Sequence, residues 1–278
     1  MKPGRARRPG CHAIKGSRAA GQPPALHAAL YTDSSAQQDC IEVRRWSTMR
    51  GMDIITFRDE TIGRARMQAI VAAHPRNAVF EDCTFDEGDF SRLDMDGFQF
   101  VRCSVAGASW LAASLEETQW TKCRGGQCDF SSALLSDARF SHCDLNNSHW
   151  RRATLSSVRF EDCKLTGAHL QEVTGWALEF RDCLLVSADL RGLSFRKAEL
   201  VGMDFSDAEL SGCDFRDAVF EGGSLRNAQT RLTRFEGADL RGADITGLNV
   251  MDAKHFKKAV ISQRQAAAAL AAFGLIVA

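Results

Sequence analysis

The chain has 278 residues, with 35 Lys and Arg against 35 Asp and Glu and 45% hydrophobic residues. These proportions suit a soluble globular protein, and the length allows one large domain or two small ones. No apolar run approaches the roughly 20 residues that span a bilayer, and the start of the chain lacks the apolar core of a secretory signal, so a cytoplasmic location is expected.

Charge is unevenly placed. Residues 1–76 carry 13 basic and 6 acidic side chains, residues 77–278 carry 22 and 29, and 77–130 alone carry 4 and 10. Residues 1–50 have no hydrophobic period and no acid before Asp33. They read as a disordered basic tail. The alternatives are an Arg-rich organelle transit peptide, or translated upstream sequence outside the native protein, with the true start at Met49 or Met52. Arg without interleaved aromatics is a weak nucleic-acid signal. The acidic field of 77–130 repels nucleic acid and attracts basic protein surfaces.

Residues 51–77 read as a lead-in or cap. "DIITF" at 53–57 predicts a short strand. "ETIGRARMQAIVAA" at 60–73 predicts a helix, with Ile62, Ala65, Ala69 and Ala73 on one face and Pro75 as its stop.

From Phe80 a period of five takes over. Every fifth residue from Phe80 to Val250 is large and apolar, except at Gly125, Gly175 and Thr230. Two residues earlier stands a second inward candidate, mostly Ala or Cys, and a polar residue separates the two. Five is the period of neither a strand nor an α-helix. A short unit repeated without insertion means a solenoid, in which each unit buries its apolar face only by stacking on neighbours. A second interval lies over the first: Cys83, Cys103, Cys123, Cys143, Cys163 and Cys183 stand 20 residues apart.

The segments "SADLRGLSFRKAELVGMDFSDAELSGCDFRDAVF" at 187–220 and "GADLRGADI" at 237–245 resemble the A(D/N)LXX pattern of the pentapeptide-repeat family. The resemblance implies an all-β fold, a right-handed quadrilateral β-helix over residues 78–253. Four pentapeptides per coil make the 20-residue interval of the cysteines. At ~4.8 Å per coil the repeats would build a rod of ~40 Å.

In such a fold the cysteines, with Cys128 and Cys213, occupy the small inward slot otherwise held by Ala. Stacked side chains point in parallel, about 4.8 Å apart. A disulfide needs Cβ atoms about 3.8 Å apart, and zinc needs converging ligands. Buried reduced thiols are therefore expected. His149 and His169 share the polar slot one coil apart, with Asp129 and Asp189 beyond them. They read as a solvent-facing ladder, with a clamped metal ion as the alternative. Trp110, Phe130 and Trp150 read as a core column. Trp176, after Gly175, falls in an outward slot, which points either to an exposed partner contact or to a bulge that turns it inward. No phosphate loop, nucleophile elbow or His/Cys pair is present. No catalysis, cofactor or metal is expected.

Residues 254–278 read as a C-terminal cap. "SQRQAAAALAAFGLIVA" at 262–278 predicts a helix with Ala269, Leu270 and Phe273 on one face and Gly274 as its stop. "AVISQRQAAAALAAFGLIV" is similar to the end of the Qnr-type quinolone-resistance members of the family. That resemblance implies a homodimer through the C-terminus, with Val260, Leu270, Phe273, Leu275 and Ile276 as dimerisation residues. It further implies an acidic, DNA-like rod that binds DNA gyrase or topoisomerase IV and protects it from quinolone-type inhibitors without binding nucleic acid or membrane. A pentapeptide-repeat scaffold for another partner is the alternative. The candidate partner contacts are Glu81, Asp82, Asp86, Glu87, Asp89, Asp94, Asp96 and Trp176. Qnr-type proteins carry projecting loops, for which the unbroken register here leaves no room.

Overall fold

The computed structural model describes residues 54–248, 250, 254–272 and 274–277. Residues 1–50 and Phe273, on which two of the expectations fall, lie outside them. The described chain is a four-sided β-solenoid of about eight turns with a C-terminal helix.

Strands β1 (Ile55–Arg58), β2 (Ala78–Glu81), β3 (Gln99–Val101), β4 (Gln119–Thr121), β5 (Arg139–Ser141), β6 (Arg159–Glu161) and β7 (Glu179–Arg181) form one parallel sheet. Strands β8 (Glu199–Val201) and β9 (Val219–Glu221) continue it as a separate pair. From β2 to β7, and again from β8 to β9, each residue pairs with the one 20 positions on, as Phe80 with Phe100 and Phe140 with Phe160. Three further faces are held by single bridges at the same interval, such as Thr84 to Ser104, Asp89 to Ser109 and Asp94 to Ser114. We number the faces by their inward centres: Phe80, Phe85, Phe90 and Met95 begin faces one to four.

The chain rounds its corners in tight turns. Gly88 N–H donates to Phe85 O at 3.0 Å, and Glu87 between them has φ +54°. A left-handed third residue defines a type II-like turn. The same position recurs every five residues, filled by Arg92, Gly97, Gly107 and Ala112 among others. One of the two positions that the repeat leaves free is thus conformationally restricted. Its many Gly, Asn and Asp residues reflect that demand.

The core is a set of aromatic columns. On face one Phe57, Phe80, Phe100, Trp120, Phe140, Phe160 and Phe180 stack in succession, with Phe100 and Trp120 centroids 3.9 Å apart. Phe90, Trp110, Phe130 and Trp150 stack on face three. Beyond Phe180 the stack moves to face four, where Phe195, Phe215, Phe235 and Phe256 follow one another.

Two of the three core tryptophans bring a partner for the indole N–H. Trp120 Nε1 donates to Thr118 Oγ1 at 3.0 Å, and Trp150 Nε1 to Ser148 Oγ at 2.7 Å. Each hydroxyl donates onward to a carbonyl, of Leu115 and Leu145 respectively. Trp110 has Ala108 where the other two have Thr or Ser, and its buried Nε1 has no partner. An orphaned buried donor costs about 1–3 kcal/mol. Ala108→Ser is therefore expected to raise stability by about 1–2 kcal/mol, because its hydroxyl can reach Trp110 Nε1 and the Val105 carbonyl in the way that Ser148, two coils up, reaches Trp150 Nε1 and the Leu145 carbonyl. Urea unfolding checks it, and a destabilised variant would contradict it.

The two ends adapt the register. β1 pairs with β2 at an interval of 23 residues, and helix α1 (Arg64–Ala73) occupies the longer connection. The helix turns Met67 and Ile70 inward and leaves Ala65, Ala69 and Ala73 exposed. This corrects the expected face: Met and Ile bury more apolar area per residue than an alanine stripe. At the far end the coil pairing continues past Val250 with one residue inserted. Val260 bridges Asp239 and Phe256 stacks on Phe235 at 4.8 Å, intervals of 21. The insertion hides these residues from a count by fives.

Helix α2 (Gln263–Ala272) closes the top. Ser262 Oγ accepts from Gln265 N–H, and Gln265 Oε1 accepts from Ser262 N–H, a capping box. Gln265 Nε2 also donates to the Leu240 and Ala243 carbonyls, pinning the helix to the last coil. Gly274, at φ +79°, ends the helix. Its N–H reaches Ala271 O and Leu275 N–H reaches Leu270 O, the two bonds of a Schellman stop.

Candidate interaction surfaces

Six thiols, Cys83 to Cys183 at intervals of 20, line the corner between faces one and two, while Cys128 precedes face three and Cys213 face four; all point inward. All eight described cysteines are free and buried. Each S–H in the column reaches the carbonyl of an aromatic residue in the coil before, as Cys123 to Phe100 and Cys143 to Trp120, both at 3.3 Å. Burial pushes the Cys123, Cys128 and Cys143 thiols far above their ordinary value and Cys213 up to about 12. At Cys163 and Cys183 the hydrogen bond from the neighbouring thiol leads, with burial adding to it. Such thiols are not nucleophiles.

His149 and His169 stack on face three with centroids 4.9 Å apart and rings 3° from parallel. Asp189 above them is committed elsewhere, to Gln171 at 2.5 Å and to Arg191 at 2.9 Å. Among the described residues no three His, Cys, Asp or Glu side chains are grouped to hold a metal ion. The Asp189–Arg191 pairing recurs as Asp214–Arg216 and Asp239–Arg241, in each case flanking an inward Leu or Phe. The guanidinium of Arg216 holds Asp214 below the ordinary carboxylate value, and that of Arg241 does the same for Asp239.

The acidic candidates fall on one coil, because 20 residues make one circuit. Glu81 and Asp82 lie after face one, Asp86 and Glu87 after face two, Asp89 on face three, and Asp94 and Asp96 around face four. They ring the rod rather than forming one patch. Several already have cationic partners: Glu81 pairs with Arg58 at 2.9 Å, Asp82 with Arg102 at 2.6 Å, Asp89 with Arg64 at 3.1 Å. Asp96 is buried and binds Arg76 at 2.8 Å, Ser114 Oγ at 2.6 Å and Glu116 N–H at 2.9 Å. Asp86 accepts from Ser104 Oγ and Ala106 N–H. Asp86, Glu87 and Asp94 are exposed.

Among the described residues the ladder opens over faces four and one. No backbone hydrogen bond joins residues 172–179 to 191–199 across faces four and one, although faces two and three of the same coils pair through Leu165 to Leu184 and Leu170 to Asp189. β7 and β8 consequently belong to different sheets. One cause is visible. Gly175 provides no inward side chain and, at φ +129°, draws down onto the coil below, where an added Cβ would meet Ser156 N at 2.6 Å. Beside this seam Trp176 is 72% exposed, so it stays outward rather than replacing the glycine inside. Gly125 needs no such opening: Val105 Cγ2 and Leu145 Cδ2 occupy the space its side chain would take.

At the C-terminal end a groove of about 930 Å³ runs between the last coil and α2, with Ile245 and Leu248 on one side and Ala268, Ala269 and Ala272 on the other. Val260, Leu270, Leu275 and Ile276 are exposed there. No described helix is long and apolar enough to cross a membrane.

A molecule whose described coils stack on one another and whose described thiols are buried among them is a β-solenoid repeat protein. The model of the pentapeptide repeat region matches residues 73–150, 93–170 and 154–255. The chain belongs to the pentapeptide-repeat family. No curated protein matches the sequence. Among solved structures it is similar to full-length QnrB1, a plasmid-mediated fluoroquinolone resistance protein, at 20% identity and TM-score 0.53, over 80% of this chain and 98% of that one. HetL, a pentapeptide-repeat protein involved in heterocyst differentiation regulation in the cyanobacterium Nostoc, matches at 18% identity and TM-score 0.40, over 71% of this chain and 94% of that one. At these identities the likeness is one of fold.

Proposed function

We propose that this protein is a non-enzymatic, cytoplasmic homodimer that binds DNA gyrase or topoisomerase IV as a DNA-like rod and protects it from quinolone-type inhibitors. The observation that supports this reading is the likeness to QnrB1, which spans 98% of that chain. The exposed acids Asp86, Glu87 and Asp94, with Trp176, are the partner contacts that remain available. The test is gyrase supercoiling in the presence of a fluoroquinolone while the protein is titrated. Rescue is expected, and neither rescue nor inhibition at micromolar protein sinks the proposal.

The dimer is proposed to form through the groove beside α2 and the exposed Val260, Leu270, Leu275 and Ile276. Leu270→Asp is expected to give a monomer or an aggregate by light scattering, since a carboxylate buried in an apolar interface is costly. A dimer of unchanged mass would contradict it.

A second reading is a scaffold for a different protein partner. It is favoured by the arginines that neutralise Glu81, Asp82, Asp89 and Asp96, which weaken the field a DNA mimic requires. It predicts an intact dimer with no effect on supercoiling.

A further inference from the structure

The seam on face four carries a cationic edge. Arg196 and Lys197 stand one coil above Trp176 and Ala177, are exposed, and form no ion pair. Elsewhere on the solenoid exposed arginines are repeatedly paired, as Arg151 and Arg152 are with Glu172 and Arg159 with Glu179. The unpaired cations sit where the backbone ladder is also unpaired. The N–H groups of Gly175, Ala177 and Ser194 have no backbone acceptor, and Val173, Leu178 and Ala198 are only partly covered beside them.

We propose that this seam is a docking site for an acidic, extended segment of a partner protein. Carboxylates of the segment meet Arg196 and Lys197, its main chain satisfies the idle donors, and an apolar side chain lies against Trp176. Each part answers a distinct feature: charge, unsatisfied backbone and exposed aromatic surface. A nucleic-acid strand fits less well. One exposed indole gives no row of stacking platforms, and exposed Glu199 on face one bounds the cationic edge. Glu172, at the other margin, is already held by Arg151 and Arg152. The proposal rests on Trp176 being a partner contact and does not require that the partner be a topoisomerase.

The test is fluorescence anisotropy with the full chain and a labelled short peptide of alternating glutamate and valine. The matched lysine–valine peptide and a labelled single-stranded oligonucleotide serve as comparisons. Saturable binding of the acidic peptide alone is expected, weakened at least about tenfold in Arg196→Glu/Lys197→Glu and again in Trp176→Ala. All three residues are exposed, so circular dichroism should show the variants folded. Hydrogen exchange adds an independent readout: bound peptide should protect the amides of 175–177 and 194. The proposal is overturned if the acidic peptide does not bind, if binding is indifferent to both variants, or if the oligonucleotide binds in its place. Gyrase rescue can succeed or fail independently of each outcome.

Discussion

Trp120→Ala is expected to lower the unfolding free energy by about 3–5 kcal/mol, the range for deleting a fully buried large aromatic. Trp120 is the junction of two aromatic columns. Its faces meet Phe100 at 3.9 Å and Phe140 at 5.6 Å, and it makes edge contacts with Trp110 at 5.3 Å and Phe130 at 5.7 Å. The coils cannot close over the vacancy. Their spacing is set by the parallel pairing of β4 with β3 and β5, so the lost contacts are not recovered by collapse. In a solenoid each coil also relies on its neighbours, and the gap weakens two interfaces at once. Trp176→Ala is the control: at 72% exposure its removal should shift stability by less than about 0.5 kcal/mol. Urea unfolding followed by circular dichroism distinguishes them. A loss below about 1 kcal/mol at Trp120 would mean that the columns do not carry the core.

Gly223→Ala is expected to cost about 2–4 kcal/mol, from backbone strain and overpacking together, whereas Gly222→Ala should cost only the strain, about 1–2 kcal/mol. The two glycines are adjacent and both have φ +80°, so φ does not separate them. Their surroundings do. A Cβ on Gly222 meets nothing, while one on Gly223 would sit 2.0 Å from the Met203 carbonyl oxygen. That carbonyl already accepts from Ser224 N–H at 2.9 Å, so it cannot withdraw without breaking the ladder. Gly222 occupies the left-handed corner that Asp82, Arg102, Lys122 and Asp162 occupy in other coils. Equal losses at the two positions would show that strain alone matters.

Much of the fold could be read before any coordinates. Inward apolar residues every five positions, and cysteines every twenty, fix both the unit and the circumference, because a solenoid in strict register maps sequence distance directly onto coil height. The buried thiols follow from the same mapping. The ends were less legible. α1 interrupts the first coil, and a single inserted residue before Phe256 takes the last coil out of phase, so counting stops short of structure that persists. The inward face of α1 went to Met67 and Ile70 because local spacing does not weigh apolar area against the site it must cover.

The candidate surfaces divide in the same way. The sequence marked Gly175 and Trp176 as an irregularity in the right place. It could not show that the ladder is unzipped over two faces, because that depends on Gly175 settling onto Ser156 in the coil below. It also presented residues 81–96 as one acidic run. Wrapped once around the rod, that run becomes a ring, and four of its seven acids meet arginines from other parts of the chain.

By itself, then, the amino-acid order determined the solenoid, its period and the burial of its cysteines, since these depend only on which residues recur at five and twenty. The tertiary structure decided which charges remain free, where the backbone is left unpaired and which residues close the ends. Those depend on side chains brought together from different coils and on the caps, where the repeat no longer dictates the neighbour.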